Sequence, residues 1–326
     1  MSAETEKTSV LSIVKGIRKL PSFSILMVLV VMFIIMMIAS PAFRTISNFL
    51  SVVRLFVPIA IAGIGVMIII ITGGIDLSIG SIYGFTGVMA AIAMTKLNVP
   101  PLAGIGLGLA ISLALGCCNG LLVVKIHLPP FIATLAMTSI VRGLCYVITQ
   151  GYAVSKIPKE FFFLGQGYIL KIPAQIWVMI IIAIIAGIFL SQTVTGRRIY
   201  ALGGNMEATR ISGINTSALL VLVYSIGGLL AGMAGIITAS KLGIGQPTTG
   251  IGFELDAIAA TAIGGTSLSG GAGTVLGTII GAAIIGVLRN ALVLLSVNAY
   301  WHQLILGFVI LIAVAADMAS KNRGKK

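Results

Sequence analysis

The chain carries little charge and very little acid. Of its 326 residues, 9% are charged and only 8 are Asp or Glu. Soluble domains carry about 25% charged residues, so this composition excludes an ordinary soluble globular protein. Cysteine is scarce too. Cys117, Cys118 and Cys145 are odd in number, lie in apolar segments and lack metal-ligand spacing, which reads as buried, inert thiols. His127 and His302 are far apart with no companion Cys or His, so no metal site is expected. There is no GxxxxGK[ST] phosphate loop. The Gly-rich GGTSLSGGAG (264–273) lacks the lysine and reads as a turn and close-packing segment rather than a phosphate cradle. No catalytic residues are expected, and no cofactor. The net charge of +13 would suit nucleic acid, but no basic stripe is interleaved with exposed aromatics. The basic residues sit mainly at the ends of apolar runs, where they set membrane topology.

What is abundant is apolar surface. Hydrophobic residues make up 58% of the chain, and mean hydropathy is +1.14. Apolar segments span 22–40, 53–72, 77–95, 102–124, 130–150, 175–195, 217–239, 255–268, 273–296 and 300–318. Most reach the roughly 20 residues needed to cross about 30 Å of hydrocarbon. The expectation is an all-α, polytopic membrane protein with about ten transmembrane helices. The segment 255–268 is short and rich in Gly, Ala and Thr, and reads as a partial or re-entrant helix. The first run follows Lys15, Arg18 and Lys19 like a signal peptide. Its length, and Pro41 after Ser40, make it an uncleaved first span. Small residues in GIGLGLA (104–110) and GTIIGAAIIG (277–286) allow close helix approach.

Lys7, Lys15, Arg18 and Lys19 begin the chain, and Lys321, Arg323, Lys325 and Lys326 end it. An even span count then puts both tails in the cytoplasm. The domains read as an N-terminal tail (1–21), a transmembrane domain (22–318) and a C-terminal tail (319–326). Lys125, Arg197, Arg198 and Arg210 fall inside; residues 151–174 fall outside despite Lys156, Lys159 and Lys171.

A weak internal repeat lays NGLLVVKIHLPPFIATL (119–135) on NALVLLSVNAYWHQLIL (290–306), Asn119 on Asn290. Asp76 and Asp256, each preceding an Ala/Gly-rich helix, are about one repeat apart. The offset is five spans, an odd number, so the halves would be inverted across the membrane, a common transporter plan.

GGIDLSIGS (73–81) sets one acid between two apolar runs. Gly73 and Gly74 can break the second helix, and Asp76 can cap the next, with Ser78 and Ser81 in its first turn. A helix break exposes backbone groups that lipid cannot satisfy. Asp76 and the serines either hold that break or offer hydrogen bonds to a polar solute.

GGIDLSIGS resembles the signature of permease subunits of bacterial ABC importers of the ribose type. The resemblance continues in GRRIYALGGNMEATRISGI (196–214), YSIGGLLAGMAGII (224–237) and QPTTGIGFELDAIAATAIGGTSLSGGAGTVLGTIIGA (246–282). It implies a fold like the vitamin B12 importer permease, and import of a monosaccharide driven by alternating access. It also implies partners: a cytoplasmic ATP-binding subunit, a periplasmic or lipid-anchored sugar-binding protein, and a second permease copy or paralogue in the lipid. ATP would bind the partner, not this chain.

The segment 196–216 is the largest polar stretch on the inferred inner face. It reads as a solvated connector with an i,i+3 ion pair between Glu207 and Arg210. The resemblance makes it instead a coupling loop that docks on the ATPase. Arg197, Arg198, Gly204, Asn205, Glu207, Ala208, Arg210 and Gly213 are its candidate residues, and Gly213 is the C-cap of its short helix. Candidates for the translocation path are Asp76, Ser78, Asn119, Arg289, Asn290 and Gln303, with Arg142, Gln150, Trp301 and His302 nearby in the spans. A charged Arg289 facing lipid would be costly, so it should face protein, water or an acid. The rival functions are an ion-coupled secondary transporter of a small polar solute, which would usually show a membrane-embedded carboxylate relay, and a passive channel or scaffold.

Overall fold

The computed structural model describes residues 23–323. Lys7, Lys15, Arg18 and Lys19 of the N-terminal tail, and Lys325 and Lys326, lie outside the described residues. Helices dominate because an apolar chain in hydrocarbon must satisfy its backbone N–H and C=O groups within each segment. In chain order they are α1 (Phe23–Ala39), α2 (Ile46–Ile71), α3 (Ile79–Lys96), α4 (Pro101–Lys125), α5 (Pro130–Thr149), the single turn α6 (Phe163–Gln166), α7 (Ala174–Gln192), α8 (Val194–Gly204), α9 (Met206–Ile211), α10 (Thr216–Leu242), α11 (Phe253–Ile263), α12 (Val275–Leu294) and α13 (Ala299–Arg323). Each predicted apolar segment falls on one of these helices. Six of them, α2, α4, α5, α7, α10 and α12, are long and apolar enough to cross a membrane by length and composition. Helix α11 has only 11 residues. Helix α13 runs to Arg323, into the stretch read from sequence as tail.

Local chemistry sets the helix ends. Pro101 and Pro130 occupy first turns, where no N–H is needed. Thr45, Thr274 and Asn215 accept N-cap hydrogen bonds from Asn48, Gly277 and Ala218. Helix α10 stops at Gly243, whose φ of 72° favours glycine.

The structure departs from all-α in an isolated antiparallel bridge between Val154 and Gly245 and in one short hairpin. Strands β1 (Tyr168–Ile169) and β2 (Ile172–Pro173) pair antiparallel. Leu170 and Lys171 turn the chain with φ of 52° and 64°, the sign pattern of a type I′ turn. Neither residue is a Gly, Asn or Asp, which is why the hairpin is invisible to turn reading. Arg54 fastens it to α2, donating to the Tyr168 hydroxyl at 2.5 Å with its guanidinium 5.1 Å from the ring centroid.

Helix α2 is the central element. Every residue from Val57 to Ile71 is buried. The most apolar window of α2 is 83% buried, against 28% in α4, α5 and α7, which therefore form the periphery. Hydrophobicity does not drive helices together in lipid; close packing does. Ser112 and Gly116 of α4 face Gly228 and Gly232 of α10, and Gly120 faces Val221 and Tyr224. A Cβ at Gly116 would overlap the Tyr224 carbonyl oxygen, and one at Gly120 would come 2.6 Å from Val221 Cα. The partners are exchanged between the halves of the chain. Helix α10 packs on α3 and α4, α2 packs on α11 and α12, and α2 and α10 pack on each other.

Candidate functional site

The chain breaks between α2 and α3. Thr72 closes α2, Gly73 takes φ 81°, and GGID carries the chain to α3. Asp76 Oδ1 accepts the Ser78 N–H at 2.7 Å and the Ser78 hydroxyl at 2.6 Å. From α4, Asn119 Nδ2 donates to Ser78 Oγ at 2.7 Å and to Asp76 Oδ2 at 3.3 Å. From α5, Thr134 Oγ1 accepts the Leu77 N–H at 3.2 Å. The Ser81 hydroxyl donates to the Thr138 carbonyl at 2.9 Å. Side chains of neighbouring helices thus satisfy the backbone that a broken helix exposes. Two buried atoms here lack a protein partner, Asn119 Oδ1 and the Tyr224 hydroxyl.

This corrects the cap reading. The N-cap of α3 is Ser78, not Asp76, and Ser78 makes no side-chain cap bond. Its hydroxyl is turned back to Asp76, which closes the turn before the helix instead.

The second acid, Asp256, lies in the first turn of α11 and accepts from Arg289 of α12 at 2.5 Å. Among the described residues this is the only ion pair the structure shows. Asn290 turns the other way, exchanging amide hydrogen bonds with Asn48 at 2.8 and 3.1 Å. Asn119 and Asn290, aligned by the internal repeat, therefore have different partners. Arg142 of α5 clamps the loop before α11 to the start of α3, donating to the carbonyls of Pro247 at 2.6 Å and Thr249 at 2.8 Å in the loop and of Gly80 at 3.1 Å in α3. Tyr83 stacks on Phe253 with ring centroids 4.0 Å apart, so the starts of α3 and α11 are in contact.

Helices α8 and α9 form a compact angle between α7 and α10. Thr193 Oγ1 accepts the Gly196 N–H at 2.9 Å, and Asn205 Oδ1 accepts the Ala208 N–H at 2.9 Å. Gly213 follows α9 with φ 79°, and its N–H reaches the Arg210 carbonyl at 3.0 Å. Ile199, Leu202 and Thr209 point inward and are buried. Arg197, Arg198, Gly204, Asn205, Glu207, Ala208, Arg210 and Gly213 are exposed. Met206 and Ile211 are exposed beside them. Glu207 and Arg210 form no ion pair, which corrects the i,i+3 pair expected between them. Both face outward, so their charges are available to another surface.

A family model described as "Branched-chain amino acid transport system / permease component" matches residues 48–314. The chain is 43% identical over 296 residues to the ribose import permease protein RbsC of Escherichia coli K12, covering 90% of this chain and 92% of that protein. It is 43% identical over 291 residues to RbsC of Bacillus subtilis 168, covering 89% and 90%. The chain belongs to this permease family. It is also 35% identical over 299 residues to the L-arabinose ABC transporter permease protein AraH of Azospirillum brasilense, covering 92% and 88%. No solved structure matches the permease. The family is one of transport permeases, not enzymes.

The predicted path residues of the permease do not converge on one opening. Asp76, Ser78 and Asn119 come together but are closed from solvent, at 1%, 0% and 0% exposure. Arg289 belongs to the Asp256 pair and Asn290 to Asn48, while Gln303 is exposed on α13. The reason is local satisfaction, since buried acids and amides take the nearest donor or acceptor. Sequence reading did not single out Thr134, Asn48 or Tyr224. Tyr224 begins YSIGGLLAGMAGII, so its motif was visible. Nothing in the sequence sets Thr134 apart from Thr138, Ser139 and Thr149 of the same helix.

Proposed function

We propose that this permease is the membrane subunit of an ATP-driven importer that carries a monosaccharide, ribose or a close relative, across the bacterial inner membrane. The observation that carries this is 43% identity to ribose import permeases of two bacteria, covering 90% and 89% of this chain, against 35% to an arabinose permease. ATP is bound and hydrolysed by a cytoplasmic partner, and a periplasmic or lipid-anchored binding protein delivers the sugar. A second copy or a paralogue completes the pathway. The exchanged packing of α2 and α10 supports an inverted repeat of the kind the vitamin B12 importer resemblance implies, with ten spans and both termini in the cytoplasm. A reporter fused after Lys326 is expected to read cytoplasmic; a periplasmic reading overturns that orientation.

The exposed charged and apolar residues of α8 and α9 support docking on the ATPase. Glu207→Lys reverses a charge there without touching a span. It is expected to release the ATPase on co-purification, and wild-type recovery with normal uptake would remove this surface from the contact. An ion-coupled mechanism is less favoured, because Asp256 is neutralised by Arg289 and Asp76 is held by hydrogen bonds. Proteoliposomes holding the permease and its ATPase, supplied with the binding protein and ATP, test the substrate. Labelled ribose should accumulate with ATP and not without it. Accumulation driven by an ion gradient alone would refute the reading.

A further inference from the structure

Two segments distant in sequence meet on α8. Gly203 lies against the carbonyl of Ile71, the last residue of α2, so closely that a Cβ at 203 would overlap that oxygen. The same oxygen accepts the Gly271 N–H at 2.8 Å. Gly270 takes φ 88°; a Cβ there would come 2.8 Å from the Gly203 oxygen and 3.2 Å from the Gly73 nitrogen. One turn earlier, Tyr200 donates its hydroxyl to the Gly273 carbonyl at 2.8 Å. Ile199 and Leu202 pack in one cluster with Ile68, Ile69 and Ile71 beneath the joint.

The covalent neighbours of this joint give it meaning. Ile71 leads directly into GGID and the Asp76 network. The 264–273 loop joins α11, which carries Asp256, to α12, which carries Arg289. The inner end of α2 and the α11–α12 turn are therefore held on the same stretch of α8. Contact of backbone with backbone leaves no flexible side chain to absorb a displacement, and close-packed interiors transmit strain. A shift of α8 must move Ile71 and the 264–273 loop together, or break the joint.

We propose that Gly203 and Tyr200 are positioning residues that tie α8 to both of these segments, so that one movement of α8 reaches the Asp76 network and the Asp256–Arg289 pair at once. This rests on the reading of α8 and α9 as the ATPase contact. Gly203 does it by permitting the backbone approach to Ile71, and Tyr200 by its bond to Gly273. Neither touches the solute or the nucleotide.

The test compares three variants of the permease–ATPase complex in proteoliposomes with the binding protein. Gly203→Ala forces the joint apart, Gly187→Ala adds a methyl on α7 where nothing lies within 4 Å, and Tyr200→Phe removes one hydrogen bond without changing shape. Sugar uptake, ATP hydrolysis and ATPase recovery are measured together. Gly203→Ala is expected to lower uptake about tenfold or more, within the usual span of a coupling between sites. Hydrolysis should fall much less, so that more ATP is consumed per sugar. Tyr200→Phe should raise the same ratio about fivefold, as the loss of one hydrogen bond implies. Gly187→Ala should match wild type. A merely destabilised protein would lose uptake and hydrolysis in proportion, and that result, or wild-type ratios in both variants, overturns the proposal. If Gly203→Ala does not assemble, Tyr200→Phe decides alone. Absence of ATP-driven uptake in the unaltered complex would instead refute the transport reading itself.

Discussion

Replacing Asp76 by Asn and by Ala separates the charge of this residue from its geometry. In the native site its two carboxylate oxygens accept from the Ser78 N–H, the Ser78 hydroxyl and Asn119 Nδ2. Ala removes both acceptor oxygens and with them all three bonds. The Ser78 hydroxyl can turn to another partner, but the Ser78 N–H is fixed by the turn and is left buried without one. An orphaned buried donor costs about 1–3 kcal/mol. Asn keeps an oxygen for both Ser78 bonds and changes only the side facing Asn119, where two amide nitrogens would meet. Asn119 Oδ1 has no partner in the native site, so rotating that amide converts the clash into a hydrogen bond. The rotation gives up the Asn119 bond to Ser78 Oγ, which holds the net loss to about 1 kcal/mol. Asp76→Ala should therefore lower the thermal midpoint in detergent clearly more than Asp76→Asn does. Uptake in proteoliposomes should follow the same order, with Asn retaining much of it. The reasoning fails if Asn proves as inactive as Ala while both proteins purify as single species with bound ATPase. In that case the negative charge itself acts in transport, and the hydrogen bonds are secondary.

The Asp256–Arg289 pair should behave asymmetrically. Arg289→Met strands a buried carboxylate and is expected to cost about 1–2 kcal/mol, below the usual figure for a broken buried pair because the guanidinium side chain is 40% exposed. Adding Asp256→Asn should restore most of the thermal midpoint; no recovery in the double variant would show that the two residues do not act as a pair. At the α4–α10 contact, Gly228→Leu should prevent recovery of a monodisperse protein, since even a Cβ there would come 2.5 Å from the Ser112 oxygen. Gly106→Leu on the same helix as Ser112, where nothing lies within 4 Å, should be recovered normally, and equal behaviour of the two would refute close backbone packing as the basis of that contact.

The membrane class, the positions of the helices and the break at GGID were all legible in the chain, because they depend on local composition. Long apolar runs must be helical in hydrocarbon whatever they pack against, and Gly73 with Gly74 interrupts a helix by backbone freedom alone. The caps of α8 and α9 at Thr193 and Asn205 were not read from the sequence, although each is satisfied a few residues away. Partner choice was not legible. Asp76 takes a donor 43 residues on, Asp256 one 33 residues on, and Asn290 an amide 242 residues back. Composition cannot specify those distances, since in an apolar interior each buried polar group bonds to whatever the helix packing brings within reach. The joint of Gly203, Ile71 and Gly271 belongs to the same category. Each glycine could be read in the sequence as a permissive position, but which backbone it permits to approach was decided only when α2, α8 and the 264–273 loop were packed together.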